Sequence, residues 1–174
     1  MNKQEIAARL IENHQEFTGF VAGLDEKDFM FAPEDKWTAG QQIEHIIRGV
    51  SPLVTALTLP KLVPHLLFGK ADRDSEDYES VVKNYHAKLA AGGKASGRFL
   101  PPEVGFEERE GLKNKLLRAV ADLVGRLEKF SEAQLDEYVL PHPLLGKLTI
   151  REMLYFTIYH VEHHHLATRK NLLK

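Results

Sequence analysis

Residues 149–171 read TIREMLYFTIYHVEHHHLATRKN, and the spacing of the apolar residues in this stretch predicts a long helix. Thr149 opens the stretch with the sequence Thr-Ile-Arg-Glu, which has the form of a capping box at a helix start. Four of the nine histidines in the chain lie between His160 and His165. His160 and His164 are four residues apart, so their side chains are expected on the same face, one turn apart.

The orientation of these histidines follows from the geometry of an α-helix. At about 100° per residue, His164 lies about 40° from His160, and both lie on the apolar stripe that should face the interior. The same projection places His163 at the border of the stripe and His165 on the outward side. Two imidazoles one turn apart can bind one metal ion, as in the H-x-x-x-H part of the zincin motif. A third ligand from another helix would leave coordination positions open, which is typical of a catalytic metal site.

Three further helices are predicted from apolar residues at helical spacing. The first covers residues 3–22. The second begins at Thr38, which forms a capping-box pattern with Gln41, and it ends near Pro60. The third covers residues 107–130. Together with the helix at the carboxyl end of the chain, these segments predict an all-α fold, a four-helix bundle.

A long irregular connection is predicted between the second and third helices. Residues 59–110 contain many of the prolines and glycines of the chain, with a short helix expected over residues 78–91. Such a long connection in a bundle is usually functional or covers a site. Before the last helix, residues 139–141 and 144–145 are expected to be short extended pieces.

Length and composition limit the class of protein. The 174 residues fit a single domain over residues 1–174, with room for a sizeable core. The net charge of −2 and the pI near 6.5 give no electrostatic reason to expect nucleic acid or a membrane as a partner. The absence of cysteine excludes disulfides, a thiolate nucleophile and a cysteine-ligated metal, and it fits a cytoplasmic location. Neither a signal core nor a transmembrane helix is expected.

A third histidine, His45, lies on the inward stripe of the second helix, beside Ile46 and Leu53. A neutral imidazole in a core needs a hydrogen-bond partner, and a charged one is more costly still. A shared divalent cation would satisfy His45, His160 and His164 together, because each ring would offer it a nitrogen lone pair. The alternative is three separately hydrogen-bonded core histidines, since the H-x-x-x-H spacing is common in helices.

Three stretches of the chain carry a resemblance to a known family. They read KWTAGQQIEHI over residues 36–46, HPLLGKLT over residues 142–149 and YFTIYHVEHH over residues 155–164. A Trp-Thr helix start followed by a histidine, a His-Pro-x-x-Gly loop and a last helix with H-x-x-x-H occur here in order. This ordered set resembles the DinB-like superfamily of metal-binding four-helix bundles, and the resemblance covers nearly the whole chain.

The resemblance implies that His45, His160 and His164 bind one divalent metal, usually nickel or zinc, with water in the remaining positions. It also implies the long connection after the second helix, and a homodimer in many members. Characterised relatives include thiol-dependent transferases and isomerases that use bacillithiol, mycothiol or glutathione, while other members have no known activity. The family often has a glutamine shortly after the last histidine, where this chain has Leu-Ala-Thr at residues 166–168, so no role is expected for such a glutamine.

Two hypotheses for function follow from the predicted metal site. The first is a metal-dependent enzyme acting on a small molecule, either a hydrolase that uses metal-activated water or an S-transferase that uses the metal-activated thiolate of a low-molecular-weight thiol cosubstrate. The second is a non-catalytic metal-binding module that acts in a stress response or through an interaction partner. No catalytic side chain is predicted, because Glu44 and Glu162 point away from the neighbouring ligands on their helices.

Three residues near the motifs are expected to support the site. Trp37 is predicted to pack under the start of the second helix, with contact to substrate as the alternative. His142 is predicted to fix the start of the last helix. His163 is predicted to be a rim or supporting residue, with a role as a metal ligand as the alternative.

Overall fold

The computed structural model describes residues 1–60 and 62–173, most of which are helical. The helices are, in chain order, α1 (Lys3–Ala22), α2 (Glu26–Met30), α3 (Ala39–Thr58), α4 (Leu62–Phe68), α5 (Tyr78–Ala90), α6 (Arg109–Leu127), α7 (Glu132–Glu137) and α8 (Ile150–Leu172). Short 3-10 turns lie at Gly97–Phe99 and Phe106–Glu108, and a small hairpin consists of β1 (Val139–His142) and β2 (Gly146–Thr149). The prediction of an all-α fold is therefore confirmed.

Four long helices build the core. Helix α3 packs against α6 and α8, and α1 packs against the same two helices on the other side. These are the four helices that the apolar spacing predicted, and the bounds of α1 match the prediction at both ends. The largest fully buried side chains come mainly from these helices and include Ile6, Leu10, Phe17, Ile43, Ile46, Ile47, Leu116, Leu123, Leu127 and Ile150. Within the described ranges, every helix is too short or too polar to cross a lipid bilayer.

Capping boxes fix where α3 and α8 begin. The Thr38 hydroxyl accepts a hydrogen bond from the Gln41 N–H at 3.2 Å, and the Gln41 side chain accepts one from the Thr38 N–H at 3.0 Å. Thr149 and Glu152 exchange the same two bonds at 3.2 and 2.8 Å. Removing such a cap typically costs about 1 kcal/mol. The caps therefore stabilise the first turns of α3 and α8.

Close packing at the start of α3 requires a residue without a side chain. A Cβ added to Gly40 would lie 2.7 Å from Val104 and 2.8 Å from Phe29, which is closer than real Cβ contacts. Phe29 belongs to α2 and Val104 to the connection between α5 and α6. The glycine therefore lets two separate segments pack directly on the first turn of α3.

The connection between α3 and α6 is more regular than the sequence predicts. The expected short helix is present as α5, which packs along α8. Helix α4 was not predicted, because the prolines and glycines of residues 59–110 indicated an irregular segment. Pro64 lies in the first turn of α4, where its missing N–H is tolerated.

The hairpin before α8 corrects one prediction and confirms another. Residues 139–141 are extended in β1 as predicted, whereas Leu144 and Leu145 lie in the turn, and the second strand begins only at Gly146. The turn reverses there because Gly146 has a φ of 78°, a conformation that other residues rarely adopt. The His142 Nδ1 accepts hydrogen bonds from the N–H groups of Leu144 and Leu145 at 3.2 and 3.1 Å. These bonds hold both residues in the turn and support the predicted role of His142 before α8.

The connection is joined to the start of α8 by a buried carboxylate. Glu152 is fully buried and accepts hydrogen bonds from both terminal nitrogens of the Arg73 guanidinium and from the Glu76 N–H at 2.7 Å. Burial alone would raise the pKa of Glu152, but the Arg73 pair and the backbone donors outweigh it and lower the pKa below its usual value. The carboxylate is therefore held in its charged form.

Candidate metal centre

The structure brings together the three histidines that the sequence singled out. His45 extends from α3, and His160 and His164 extend from α8; their exposed fractions are 6%, 8% and 7%. The His160 Nε2 lies 3.2 Å from the His45 Nε2 and 3.1 Å from the His164 Nε2. One ring nitrogen from each residue lies within 4.8 Å of the other two, so the three form a group that could hold a metal ion.

The spacing of these nitrogens fits coordination to a common ion. Two nitrogens that each lie about 2.05 Å from a tetrahedral zinc are about 3.3 Å apart. The observed distances of 3.1 and 3.2 Å differ from that value by only a few tenths of an ångström. Three neutral imidazoles also leave at least one coordination position free for a small molecule. A set of three histidine donors with an open position is typical of catalytic zinc sites. The residues present therefore fit a divalent metal.

Hydrogen bonds on the far side of two rings set where their protons lie. The His45 Nδ1 donates to the Phe99 carbonyl oxygen at 2.7 Å, and the His164 Nδ1 donates to the Gln42 side-chain oxygen. A neutral imidazole has a single N–H, so both rings then carry an unprotonated Nε2. Those lone pairs point at His160, as in metal sites whose ligands donate their other N–H to an oxygen.

Without a cation, this arrangement leaves a hydrogen bond unmade. The His160 Nε2 can carry only one hydrogen, yet it faces two unprotonated nitrogens at 3.1 and 3.2 Å, those of His45 and His164. One close contact between lone pairs must therefore remain, which is unfavourable in a buried site. The contact favours a shared cation over three separately hydrogen-bonded histidines.

The three rings are neutral near pH 7. Burial lowers the pKa of His160 and of His164 well below the usual value, and the neighbouring histidines lower both further. Burial also lowers the pKa of His45, although the hydrogen bond to Phe99 opposes this effect. Since only a neutral imidazole can donate its lone pair, the site favours the metal-binding form of all three rings.

Trp37 lies at the side of the candidate centre. Its ring centroid is 4.8 Å from that of His45, and it stacks on His164 at 6.0 Å with an angle of 11° between the rings. The side chain is half-buried and directly precedes the cap of α3. The predicted position under the start of the second helix is thus correct, and the same ring also lines the site.

Aromatic rings also lie against His160. Phe156 stacks on His160 at 4.7 Å, and Tyr85 of α5 meets the edge of His160 at 6.1 Å. His142 packs against the Phe156 ring, with 4.2 Å between the two ring centroids. Burial lowers the pKa of His142 to about 4, so this histidine is a neutral structural group.

The remaining histidines of α8 lie outside the group of three. His163 is half-buried, with its ring 5.7 Å from Tyr85 and 5.2 Å from His164, which fits the predicted rim position. His165 was predicted to point outward, but it is half-buried against Phe17 and Phe20 at 5.7 and 5.1 Å. The prediction was wrong because α1 packs along that face of α8, which the helical projection alone does not reveal.

The long connection between α3 and α6 contacts the site through the turn at Gly97–Phe99. Its length had suggested a segment that is functional or covers a site. The carbonyl oxygens of Arg98 and Phe99 are both bound to α3: Arg48 donates to the first at 3.0 Å, and His45 donates to the second at 2.7 Å. Phe99 was not predicted, because a backbone carbonyl leaves no mark in a sequence. Gln42 was also missed, although it lies three residues before His45 on the same face of the helix.

The nearest acidic residues are paired elsewhere, as their directions predicted. Glu44 accepts a hydrogen bond from Arg48 at 2.9 Å and lies 3.6 Å from the Lys115 ammonium. Glu162 accepts from Asn13 at 2.5 Å. Within the described part of the chain, the candidate metal group therefore consists of histidines alone.

Comparison with known proteins gives one match. The sequence model described as the DinB superfamily matches residues 9–167, a range that contains His45, His160 and His164. No curated protein matches the chain.

Proposed function

The chain belongs to the DinB superfamily, and from this premise we propose that it is a divalent-metal-dependent enzyme with a centre formed by His45, His160 and His164. The metal is nickel or zinc. The reaction is S-transfer with a low-molecular-weight thiol cosubstrate, or hydrolysis of a small molecule. One observation carries the proposal: three buried Nε2 atoms converge at 3.1 and 3.2 Å, with two of the rings oriented by oxygen acceptors behind them.

The side chains of the centre have distinct tasks in this proposal. A divalent ion held by three neutral imidazoles keeps its full charge and would lower the pKa of a bound water or thiol towards neutrality. The Phe99 carbonyl and the Gln42 amide oxygen orient the rings of His45 and His164. Trp37 and Phe156 lie against the ligands and exclude water, which strengthens electrostatic interactions inside the site.

The second candidate is a metal-binding module without turnover. Two observations favour it: the three ligands are only 6–8% exposed, and Glu44 and Glu162, the nearest acids in sequence, are paired elsewhere rather than placed as a general base. In this case the metal would stabilise the fold or an interaction. Formation of a homodimer is part of either proposal, and light scattering of the purified protein tests it.

Metal content tests the centre itself. We expect protein purified without an affinity tag to contain about one divalent ion per chain, and His45→Ala and His164→Ala to contain much less, because each loses one of three ligands. His86→Ala is the matched control, since His86 is exposed, its Nε2 hydrogen-bonds to the Tyr159 hydroxyl and it lies outside the group of three histidines. Equal metal in the parent and the two ligand variants would refute the assignment.

The two functions are separated by assay of the metal-loaded protein. If the parent consumes a low-molecular-weight thiol or an ester and His164→Ala does not, the enzyme is supported. Full metal occupancy without activity towards a broad panel of thiols, electrophiles and esters supports the module. Because His86→Ala keeps the centre intact, its activity should match that of the parent.

A further inference from the structure

The side chain of Gln42 makes one direct hydrogen bond across the interior. Its amide oxygen accepts from the His164 Nδ1, and this bond joins α3 to α8 over 122 residues of sequence. Both side chains are buried, with 5% of Gln42 and 7% of His164 exposed. We propose that Gln42 is the positioning residue of the metal centre, which holds His164 in the one tautomer and ring direction that can bind the ion. This inference rests on the proposed metal-dependent function.

The physical argument concerns a single proton. A neutral imidazole carries its hydrogen on either Nδ1 or Nε2, and only an unprotonated Nε2 can bind a metal at the point where the rings converge. The Gln42 oxygen offers an acceptor to Nδ1, so the hydrogen stays on that side. Without this acceptor, the hydrogen of His164 would be drawn to Nε2, which lies 3.1 Å from the His160 Nε2.

The position of Gln42 in α3 makes the contact a consequence of the fold. Gln42 and His45 are three residues apart, so both side chains project from one face of α3. His45 reaches the centre directly, while Gln42 reaches the back of His164, so a single turn of α3 supplies one ligand and orients another. The acceptor of His45 is the Phe99 backbone, which no side-chain substitution removes. Gln42 is therefore the position at which such an acceptor can be tested directly.

The test compares two substitutions of Gln42 in the full chain, with Zn²⁺ as the probe. Gln42→Met keeps the length of the side chain but replaces the amide oxygen by a thioether, which is only a weak acceptor, whereas Gln42→Glu keeps an acceptor oxygen. Removal of such an outer contact typically weakens metal binding by about 10–100-fold. We expect that loss in Gln42→Met and an affinity in Gln42→Glu close to or tighter than that of the parent, measured at constant pH by competition with a chromophoric chelator.

A second readout follows the proton itself. Nitrogen NMR of the metal-free protein distinguishes the two tautomers of His164, and a merely structural role of Gln42 would not move this signal. We expect the parent and Gln42→Glu to hold the hydrogen on Nδ1, and Gln42→Met to shift it towards Nε2. An unchanged tautomer in Gln42→Met, or unchanged Zn²⁺ affinity, would overturn the proposal.

Gln41→Met provides the matched control one residue away. The Gln41 side chain accepts from the Thr38 N–H at 3.0 Å and belongs to the cap of α3. Its loss should lower the melting temperature but leave Zn²⁺ affinity unchanged, and an equal loss of affinity in this variant would contradict a specific role for Gln42. If the parent binds no Zn²⁺, the proposed function fails, while the tautomer of His164 still decides whether Gln42 positions the ring.

Discussion

His14 shows at the scale of one residue what burial does to an imidazole outside the metal centre. It is fully buried on α1, its Nδ1 donates to the Leu10 carbonyl at 2.7 Å, and its Nε2 has no hydrogen-bond partner among the described residues. Burial lowers its pKa from 6.5 to about 4, against the opposing effect of the bond to Leu10. The folded protein therefore keeps His14 neutral where an unfolded chain would bind a proton.

The lowered pKa of His14 predicts a loss of folding stability in acid. As the pH falls from 6.5 towards 4, the unfolded state gains a proton that folded His14 does not accept, so the free energy of unfolding decreases. Over the full window the decrease amounts to about 3 kcal/mol. We expect His14→Leu to lose less stability than the parent between about pH 7 and about pH 4.5, measured by urea unfolding. Identical losses in both proteins would contradict the pKa of His14.

The same scale shows which parts of the centre a sequence can reveal. His160 and His164 were predicted from a spacing of four residues, and His45 from its place on an inward stripe. The acceptor of His45 could not be predicted, because every residue carries a carbonyl and only the path of the chain brings that of Phe99 close. The half-burial of His165 was missed for a related reason, since a helical projection cannot show which neighbouring helix covers a given face.

At the scale of the element, the long helices were predicted correctly, whereas the short helix α2 and the second strand of the hairpin were not. The capping boxes at Thr38 and Thr149 and the apolar spacing of the long helices predicted α1, α3, α6 and α8. Helix α2 has five residues, too few for a helical period to appear, although Asp25 caps it. Leu144 and Leu145 were predicted to be extended but lie in the turn of the hairpin, and the second strand begins at Gly146, which has a left-handed conformation.

Glu152 gives a prediction about the start of α8. Glu152→Gln keeps the capping box, since Gln41 serves in the same way at α3, but it removes the charge that pairs with Arg73. Hydrogen bonds to charged groups contribute about 2 kcal/mol, so we expect a loss of that size in urea unfolding near pH 7. Because the pKa of Glu152 is lowered in the fold, its contribution is present above its usual value of 4.5 and is lost as the pH falls further.

A control and a contrary result define this test. Glu12→Gln changes the same chemical group at an exposed position of α1 and should alter stability by less than about 0.5 kcal/mol. The parent and Glu152→Gln should also converge in stability at low pH, where Glu152 is protonated in both states. A constant difference at every pH would show that the loss comes from packing rather than from the charge.

At the scale of the whole molecule, the candidate centre joins the first half of the chain to its end. One histidine of the candidate centre belongs to α3 and two belong to α8, and these helices pack directly on each other. An ion bound between them would therefore resist unfolding of the entire bundle rather than of one helix.

Removal of the metal should lower the melting temperature of the protein. At a free metal concentration about 100 times the dissociation constant, binding adds about 2.7 kcal/mol to the free energy of unfolding. For a chain of this length, that corresponds to a shift of about 5–10 °C. We expect a chelator to reverse the shift in the parent in differential scanning calorimetry, and His45→Ala to show no shift. An equal shift in His45→Ala would mean that the ion binds elsewhere.

The turn at Gly97–Phe99 links the long connection to the geometry of the candidate centre. The Phe99 carbonyl supplies the oxygen that orients the His45 ring. Lifting the turn to admit a molecule would therefore also release the His45 ring, so admission and alignment are linked equilibria. The return of the turn would restore both at once, so the direction of the His45 Nε2 depends on a backbone carbonyl 54 residues away in the sequence.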